Sequence, residues 1–326
     1  MSANVPEPPA SGQLPPPPWL TALTPGRHLA IVGPTASGKS SLALATAVEL
    51  GDAEIVSLDS MCVYRHMNIG TAKPTPADQA LVPHHLLDLV DPSDEYTVAQ
   101  FQDAFAQVVT DIDRRGRRAV LVGGTGLYLQ ATVDALRIPG RFPEVVAQLD
   151  TEPDTARLHA RLAQLDPLAA SRIEPTNRRR IVRALEVTLG SGVAFSASGP
   201  GITAFGDTPF RLVGVSRPRP ALDQRIAQRY EHQMAVGFLD EVRGLLARPG
   251  GLSRTARQAL GYRELLAHLE GGVDLNEALD TALARTRRFS RRQQRWFRRD
   301  PRISWINVDT ADEPIAVVEV LDRLRD

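Results

Sequence analysis

Of 326 residues, one is cysteine, Cys62, and two are lysine, Lys39 and Lys73. A single thiol excludes an internal disulfide framework and a multi-thiolate zinc site. No stretch reaches the roughly 18 uninterrupted apolar residues of a membrane span. The amino terminus lacks the basic head and apolar core of a secretory signal, so the cytoplasm is the expected location. An excess of one charge is missing too: 38 basic residues balance 38 acidic ones. Net charge therefore argues neither for nor against a nucleic-acid partner. The composition is that of an ordinary soluble globular protein.

Arginine stands nearly everywhere that lysine could. On the surface this is a coding preference. At Lys39 it is informative, because a compact ammonium is retained where a planar guanidinium would serve poorly.

The chain length allows one domain with a sizeable insertion, or two domains. Residues 1–26 are proline-rich and are expected to form a disordered tail. The apolar run His28–Val32 predicts a buried parallel strand, followed by an alanine-rich helix over 41–50. Further strands are expected at 54–58, 118–122 and 212–215, with helical periodicity over Val98–Arg114. This alternation predicts an α/β fold, a parallel sheet flanked by helices. Between 138 and 206 the strand signal fades, and Thr155–Leu165 and 178–189 read as helices. The chain thus divides into a core, 27–137 with 207–326, and a mostly helical insertion, 138–206. Residues 221–299 are expected to be largely helical.

Between the first strand and its helix lies Gly33-Pro34-Thr35-Ala36-Ser37-Gly38-Lys39-Ser40. It matches G-x-x-x-x-G-K-[ST] in the required strand-to-helix context. Such a loop turns successive N–H groups inward at a helix N-terminus, which favours phosphate. Lys39 reaches terminal phosphate oxygens, and the Ser40 hydroxyl is placed to ligate Mg2+. The motif specifies a bound diphosphate or polyphosphate, not a particular nucleotide. The N-K-x-D element of a regulatory GTPase is missing. The strand at 118–122 ends in Gly-Gly-Thr, not in the Asp of a motor ATPase. A small-molecule or nucleoside kinase stays open, with Asp59 as its acid. So does a noncatalytic RNA-binding protein, although the complete loop and Asp59 speak against it.

Further motifs follow in order. They are Asp59-Ser60-Met61-Cys62-Val63-Tyr64, Asn68-Ile69-Gly70-Thr71-Ala72-Lys73-Pro74, His84-His85-Leu86-Leu87-Asp88 and Gly123-Gly124-Thr125-Gly126-Leu127-Tyr128. Later come Arg183-Ala184-Leu185-Glu186, Gln258-Ala259-Leu260-Gly261-Tyr262-Arg263-Glu264 and Gln294-Arg295-Trp296-Phe297-Arg298. From about residue 29 to 299 this set resembles the tRNA dimethylallyltransferase family, with its P-loop NTPase-like fold. A kinase shares the first element and little else. The family often has glutamine where Cys62 stands, and a thiol offers a base edge less than an amide does.

The resemblance implies transfer of a dimethylallyl group from dimethylallyl diphosphate to N6 of the adenosine on the 3′ side of the anticodon. It implies Asp59 as general base, Thr125 holding the geometry and Arg229 binding the diphosphate beside Gly33–Ser40. By spacing alone, Asp59 could equally be a turn or cap residue, Arg229 a solvated helix charge and Thr125 a turn residue. Around the RNA, the resemblance implies roles for Asp59, Ser60, Met61, Cys62, Thr125, Gln258, Gly261, Tyr262 and Arg263. Arg288, Arg291, Arg292, Arg295 and Arg299 recur at i, i+3, i+4, i+7 and i+11, one basic stripe if helical. Arg172, Arg178, Arg179, Arg180 and Arg183 supply a second patch on the insertion. Both suit phosphate contacts to an anticodon stem-loop. Phe289 and Trp296, seven apart, are expected to anchor the helix on the core. Nothing in the sequence demands a dimer, and a monomer is expected.

Overall fold

The computed structural model describes residues 16–199, 201–308 and 313–325. Among them, six strands form one parallel sheet: β1 (His28–Val32), β2 (Ala53–Ser57), β3 (His84–His85), β4 (Arg118–Gly123), β5 (Phe210–Ser216) and β6 (Ser304–Asn307). Their order is β3-β2-β4-β1-β5-β6. Every residue of β1 and β2 is buried. That is why β1 reads as a nearly unbroken apolar run and not an alternating one, while β2 buries Glu54 and Ser57 among its apolar residues. β1 sits between β4 and β5, with Leu29 beside Val120 on one flank and Arg211 on the other.

The helices are α1 (Pro18–Ala22), α2 (Lys39–Leu50), α3 (Pro76–Leu81), α4 (Val98–Arg114), α5 (Gly126–Val133), α6 (Pro143–Asp150), α7 (Thr155–Leu165), α8 (Pro167–Arg172), α9 (Arg178–Ser191), α10 (Arg219–Ala235), α11 (Phe238–Leu246), α12 (Tyr262–Leu269), α13 (Leu275–Phe297) and α14 (Glu313–Arg325). α4 carries a full capping box, in which Thr97 and Gln100 satisfy each other's backbone N–H. Its apolar stripe, Phe101, Phe105, Val109 and Ile112, is buried. Leu42, Ala43 and Ala47 of α2 pack with Leu29, Ile31, Val120 and Val213 of the sheet. No helix among the described residues is long and apolar enough to cross a membrane.

The described chain separates into two compact units, one of Ala135–Ala204 and one of Pro17–Asp134 with Phe205–Asp326. The smaller unit holds α6 to α9 around Leu149, Leu158, Leu162, Ile181 and Leu185. Two acids organise it. Asp166 accepts from the N–H groups of Ala169 and Ser196. Glu186, buried, accepts from the Phe142 N–H and pairs with Arg183 at 2.7 Å.

The disordered tail expected over 1–26 falls outside the described residues up to 15. Over residues 16–26 the chain is ordered instead. α1 buries Leu20, Leu23 is buried behind it, and Trp19 meets Phe105 edge-on at 5.8 Å. Three large apolar side chains among prolines anchor what composition alone read as a tail.

Candidate active site

The phosphate loop leaves the carboxyl end of β1, where ligands of open parallel sheets bind. Gly38 caps α2 at φ +92°, a left-handed conformation glycine adopts without strain. Ala36 also has positive φ, at +64°. Two arginines of the later chain hold the loop's outward carbonyls. Arg217 Nε donates to Ser37 O at 2.7 Å, and Arg225 Nε donates to Ala36 O at 3.0 Å. The Ser37 N–H closes the loop's own turn onto Pro34 O at 3.2 Å, so the donors suited to an anion are those that open α2. Arg229, one turn beyond Arg225 on α10, donates to Thr35 Oγ1 and to Gly70 O, each at 3.0 Å. Arg229 is thus half-buried at the loop, not a solvated helix charge.

A cavity of about 1150 Å³ opens over the loop. Thr35, Lys39, Ser40, Asp59, Thr125 and Arg229 all line it. Asp59 follows β2, and its Oδ1 accepts from the Met61 N–H at 2.8 Å, which is the turn bond expected of an Asp after a strand. No protein hydrogen bond reaches its Oδ2 among the described residues. The turn role and a place in the cavity therefore coexist in one side chain. Thr125 N-caps α5 by position but makes no side-chain cap bond. Its Oγ1 instead accepts from the Ser60 N–H at 3.4 Å, joining the turn after β4 to the turn after β2.

Burial pushes the Lys39 ammonium down to about 8; the Asp59 carboxylate opposes this shift and Arg229 adds to it. Burial also pushes the Cys62 thiol well up, helped by Asp59, so it stays a thiol. Cys62 is free and buried on the cavity wall. Lys73 is tied down, donating to Tyr64 O at 2.7 Å and pairing with Asp88 at 2.6 Å.

Glu241 organises the Asn68-Ile69-Gly70 turn. Its carboxylate accepts from all three N–H groups, at 2.9, 2.8 and 3.2 Å, and from Tyr262 Oη at 2.6 Å. Burial and the adjacent Glu241 carboxylate hold the Tyr262 hydroxyl protonated. Tyr262 is therefore a buried strut on the cavity wall, whatever it offers to RNA. Gln258 is exposed on the same wall and accepts from Arg263 at 3.0 Å. Gly261 N-caps α12, its N–H given to Glu264.

α13 runs past the cavity. Arg288, Arg292, Arg295 and Arg299 are exposed and Arg291 half-buried. Arg288 and Arg292 line the cavity. The aromatic anchor differs from expectation. Phe297 is the fully buried ring, Phe289 lines the cavity with Arg292 5.6 Å above it, and Trp296 packs on Gly126. The 3.6-residue period turns the 297 position, not 289, into the core. On the smaller unit, Arg179 and Arg180 are exposed. Arg183 is engaged internally, donating to Gly140 O and Pro139 O besides pairing with Glu186.

Sequence reading missed Arg217, Arg225, Glu241 and Gln293. The amide of Gln293 accepts from the Thr35 N–H and donates to Gly124 O, each at 2.8 Å. One signal was present: Thr286, Ser290 and Gln293 continue the buried stripe begun by Ala278 and Ala282. Polar residues on a buried stripe need partners.

No group of three or more His, Cys, Asp or Glu that could hold a metal occurs among the described residues. The Ser40 side chain lines the cavity at the start of α2, beside Lys39. A second cavity, about 530 Å³ at the start of β5, contains none of these residues.

A parallel sheet feeding a glycine-rich loop, with Lys39 and Ser40 opening the next helix, defines a P-loop-type enzyme built to bind a diphosphate or polyphosphate. Within that class the chain belongs to the IPP transferase family, whose sequence model matches residues 62–300. It is 46% identical over 293 residues to a tRNA dimethylallyltransferase of Thermobifida fusca, covering 87% of this chain and 91% of that one. A solved tRNA isopentenylpyrophosphate transferase from Bacillus halodurans is 35% identical, with a TM-score of 0.67 over 92% of this chain and 97% of that chain. A solved eukaryotic dimethylallyltransferase acting on tRNA has a TM-score of 0.75 at 23% identity, covering 91% of this chain and 79% of the other, a likeness of fold alone.

Proposed function

We propose that this enzyme transfers a dimethylallyl group from dimethylallyl diphosphate to N6 of the adenosine 3′-adjacent to the anticodon of tRNA. The C1–O bond of the donor breaks and the N6–C1 bond forms. Diphosphate leaves with the bonding electron pair, and the N6 proton passes to Asp59. One observation carries this reading: Lys39, Asp59, Thr125 and Arg229 face a single cavity, with cations at the phosphate loop and the carboxylate on the turn after β2. The names of the relatives agree with it.

The leaving group gains negative charge as C1 departs. Lys39, Arg229 and the inward N–H groups stabilise that charge where it develops. A magnesium ion on Ser40 would neutralise further phosphate charge when bound. Asp59 Oδ2 serves as acceptor as N6 becomes acidic on alkylation. Thr125, through its bond to the Ser60 N–H, keeps the Asp59 turn against the turn after β4. The exposed arginines of α13 contact the phosphates of the anticodon stem-loop, and the target adenine leaves its stack to enter the cavity.

The test is incubation of the protein with labelled dimethylallyl diphosphate, ATP and an anticodon stem-loop RNA. The reading predicts label on adenosine N6 and free diphosphate. Transfer of the ATP γ-phosphate to any acceptor, with no alkylated RNA, would contradict it.

A further inference from the structure

Gln293 is nearly buried, 7% exposed, near the carboxyl end of the arginine-rich helix α13. Its two partners belong to the two loops that must cooperate in the transfer. Thr35 lies in the phosphate loop, two residues after its first glycine. Gly124 lies in the turn after β4 and directly precedes Thr125. The roles of the amide's two ends follow from these partners: a backbone N–H needs an acceptor and a backbone carbonyl needs a donor. The contact is close. A Cβ on Gly124 would stand 2.4 Å from Gln293 Nε2, so a larger residue there would displace the amide from its place between the two loops. One turn further on, Trp296 lies against Gly126 in the same way, and a Cβ there would meet its ring at 2.2 Å.

We propose that Gln293 is a positioning residue for the transfer step, its one side-chain amide fixing the phosphate loop against the turn that carries Thr125. The inference rests on the proposed function and adds a residue to it. From Thr35 the connection runs through Gln293 to Gly124, then through Thr125 Oγ1 to the Ser60 N–H, beside Asp59. Thr35 in turn holds Arg229 through its hydroxyl. The leaving-group side and the base side of the cavity are therefore tied by a single amide.

The chemistry admits few substitutes. Leucine supplies neither donor nor acceptor and strands two backbone groups. Asparagine is one methylene shorter and cannot span both loops. Ionised glutamate has the right length but no proton for Gly124 O. Protonated glutamate has both, since its hydroxyl donates while its carbonyl accepts. Burial would raise the carboxyl pKa of such a residue and bring this state within reach of ordinary assay pH.

The experiment uses the full chain with dimethylallyl diphosphate and an anticodon stem-loop RNA, comparing wild type, Gln293→Leu and Gln293→Glu. For Gln293→Leu, kcat should fall by about 100-fold, the scale of a misplacement near 1 Å, with donor KM changing much less. For Gln293→Glu, activity relative to wild type at each pH should rise severalfold as pH is lowered from about 8.5 to about 6. A merely structural amide would give no such pH-dependent recovery. The two variants are read separately, so a Leu variant that does not fold leaves the Glu ratio to decide. A Leu variant with kcat within about twofold of wild type, or a pH-independent Glu ratio, overturns the inference while leaving the proposed function standing. An inactive wild type overturns both.

Discussion

Arg229 donates one guanidinium N–H to Thr35 Oγ1 and another to Gly70 O, both at 3.0 Å. Gly70 is itself held by Glu241, through its N–H at 3.2 Å. The cation at the phosphate loop is thus aimed by two chain segments far apart in sequence, before any ligand arrives. In the proposed reaction, such preorganisation would let its charge act on the leaving group without a reorganisation cost.

Replacing Arg229 with alanine should raise the donor KM by about 10- to 100-fold, as expected for loss of a charge-assisted contact to phosphate. Lysine should restore little, because it cannot serve Thr35, Gly70 and a phosphate at once. Steady-state kinetics with varied donor checks this. A KM unchanged in the alanine variant would return Arg229 to a structural role.

Lys39 carries a pH signature. Burial holds its free-state value down to about 8. A bound diphosphate favours the charged ammonium and raises that value, so binding takes up a proton above pH 8. Donor Kd should therefore stay flat below about pH 7.5 and weaken by roughly tenfold per unit above about 8.5. Calorimetry in buffers of different ionisation heat should show that proton uptake at pH 8.5 and none at pH 6.5. Lys39→Met should weaken binding and abolish the dependence.

The arginines of α13 should govern affinity for RNA and leave donor binding alone. Neutralising Arg288, Arg292 and Arg295 together should weaken stem-loop binding at low salt. It should also lower the slope of log K against log salt by about 2 to 3. Filter binding across a salt series reads both effects. A slope identical to wild type would remove these side chains from the interface.

Acid stability has a local source in Glu54, buried at β2. Its carboxylate pairs with Arg115, with Arg117 at 2.6 Å and with His85 at 2.7 Å. The Arg115 hydrogen bond leads in holding it down to about 2, against the opposing effect of burial. The folded value lies below the ordinary carboxylate value of 4.5. The stabilisation is therefore present above about pH 4.5 and is lost as pH falls toward 2. Glu54→Gln should cost on the order of 2 kcal/mol at pH 7 and flatten the stability profile between about pH 4.5 and 2. Urea unfolding at stepped pH tests the sign.

What could be read from the sequence was what is local. The run His28–Val32 is a strand with those bounds, and Val98–Arg114 is a helix with those bounds. The phosphate loop was legible because its residues are contiguous and need no distant partner to be recognised. β6 was not, since a four-residue edge strand that buries only Ile306 carries little pattern. β3 is two residues long. In the site, Gln293, Arg217 and Arg225 bond to the loop from 258, 180 and 189 residues away. Glu241 reaches Asn68 across 173 residues. No window along the chain contains both halves of these contacts. Arg183 shows the converse: a local arginine cluster suggested a nucleic-acid surface, while the folded unit spends that guanidinium on Glu186 and two carbonyls.

Asp59→Asn is the sharpest probe of the chemistry, because asparagine can still accept from the Met61 N–H and keep the turn. A single-turnover measurement, with donor Kd determined on the same protein, separates proton acceptance from binding. General-base action by Asp59 predicts a transfer rate lower by about 10²- to 10⁴-fold with donor Kd within about threefold of wild type. A transfer rate close to wild type would contradict the account.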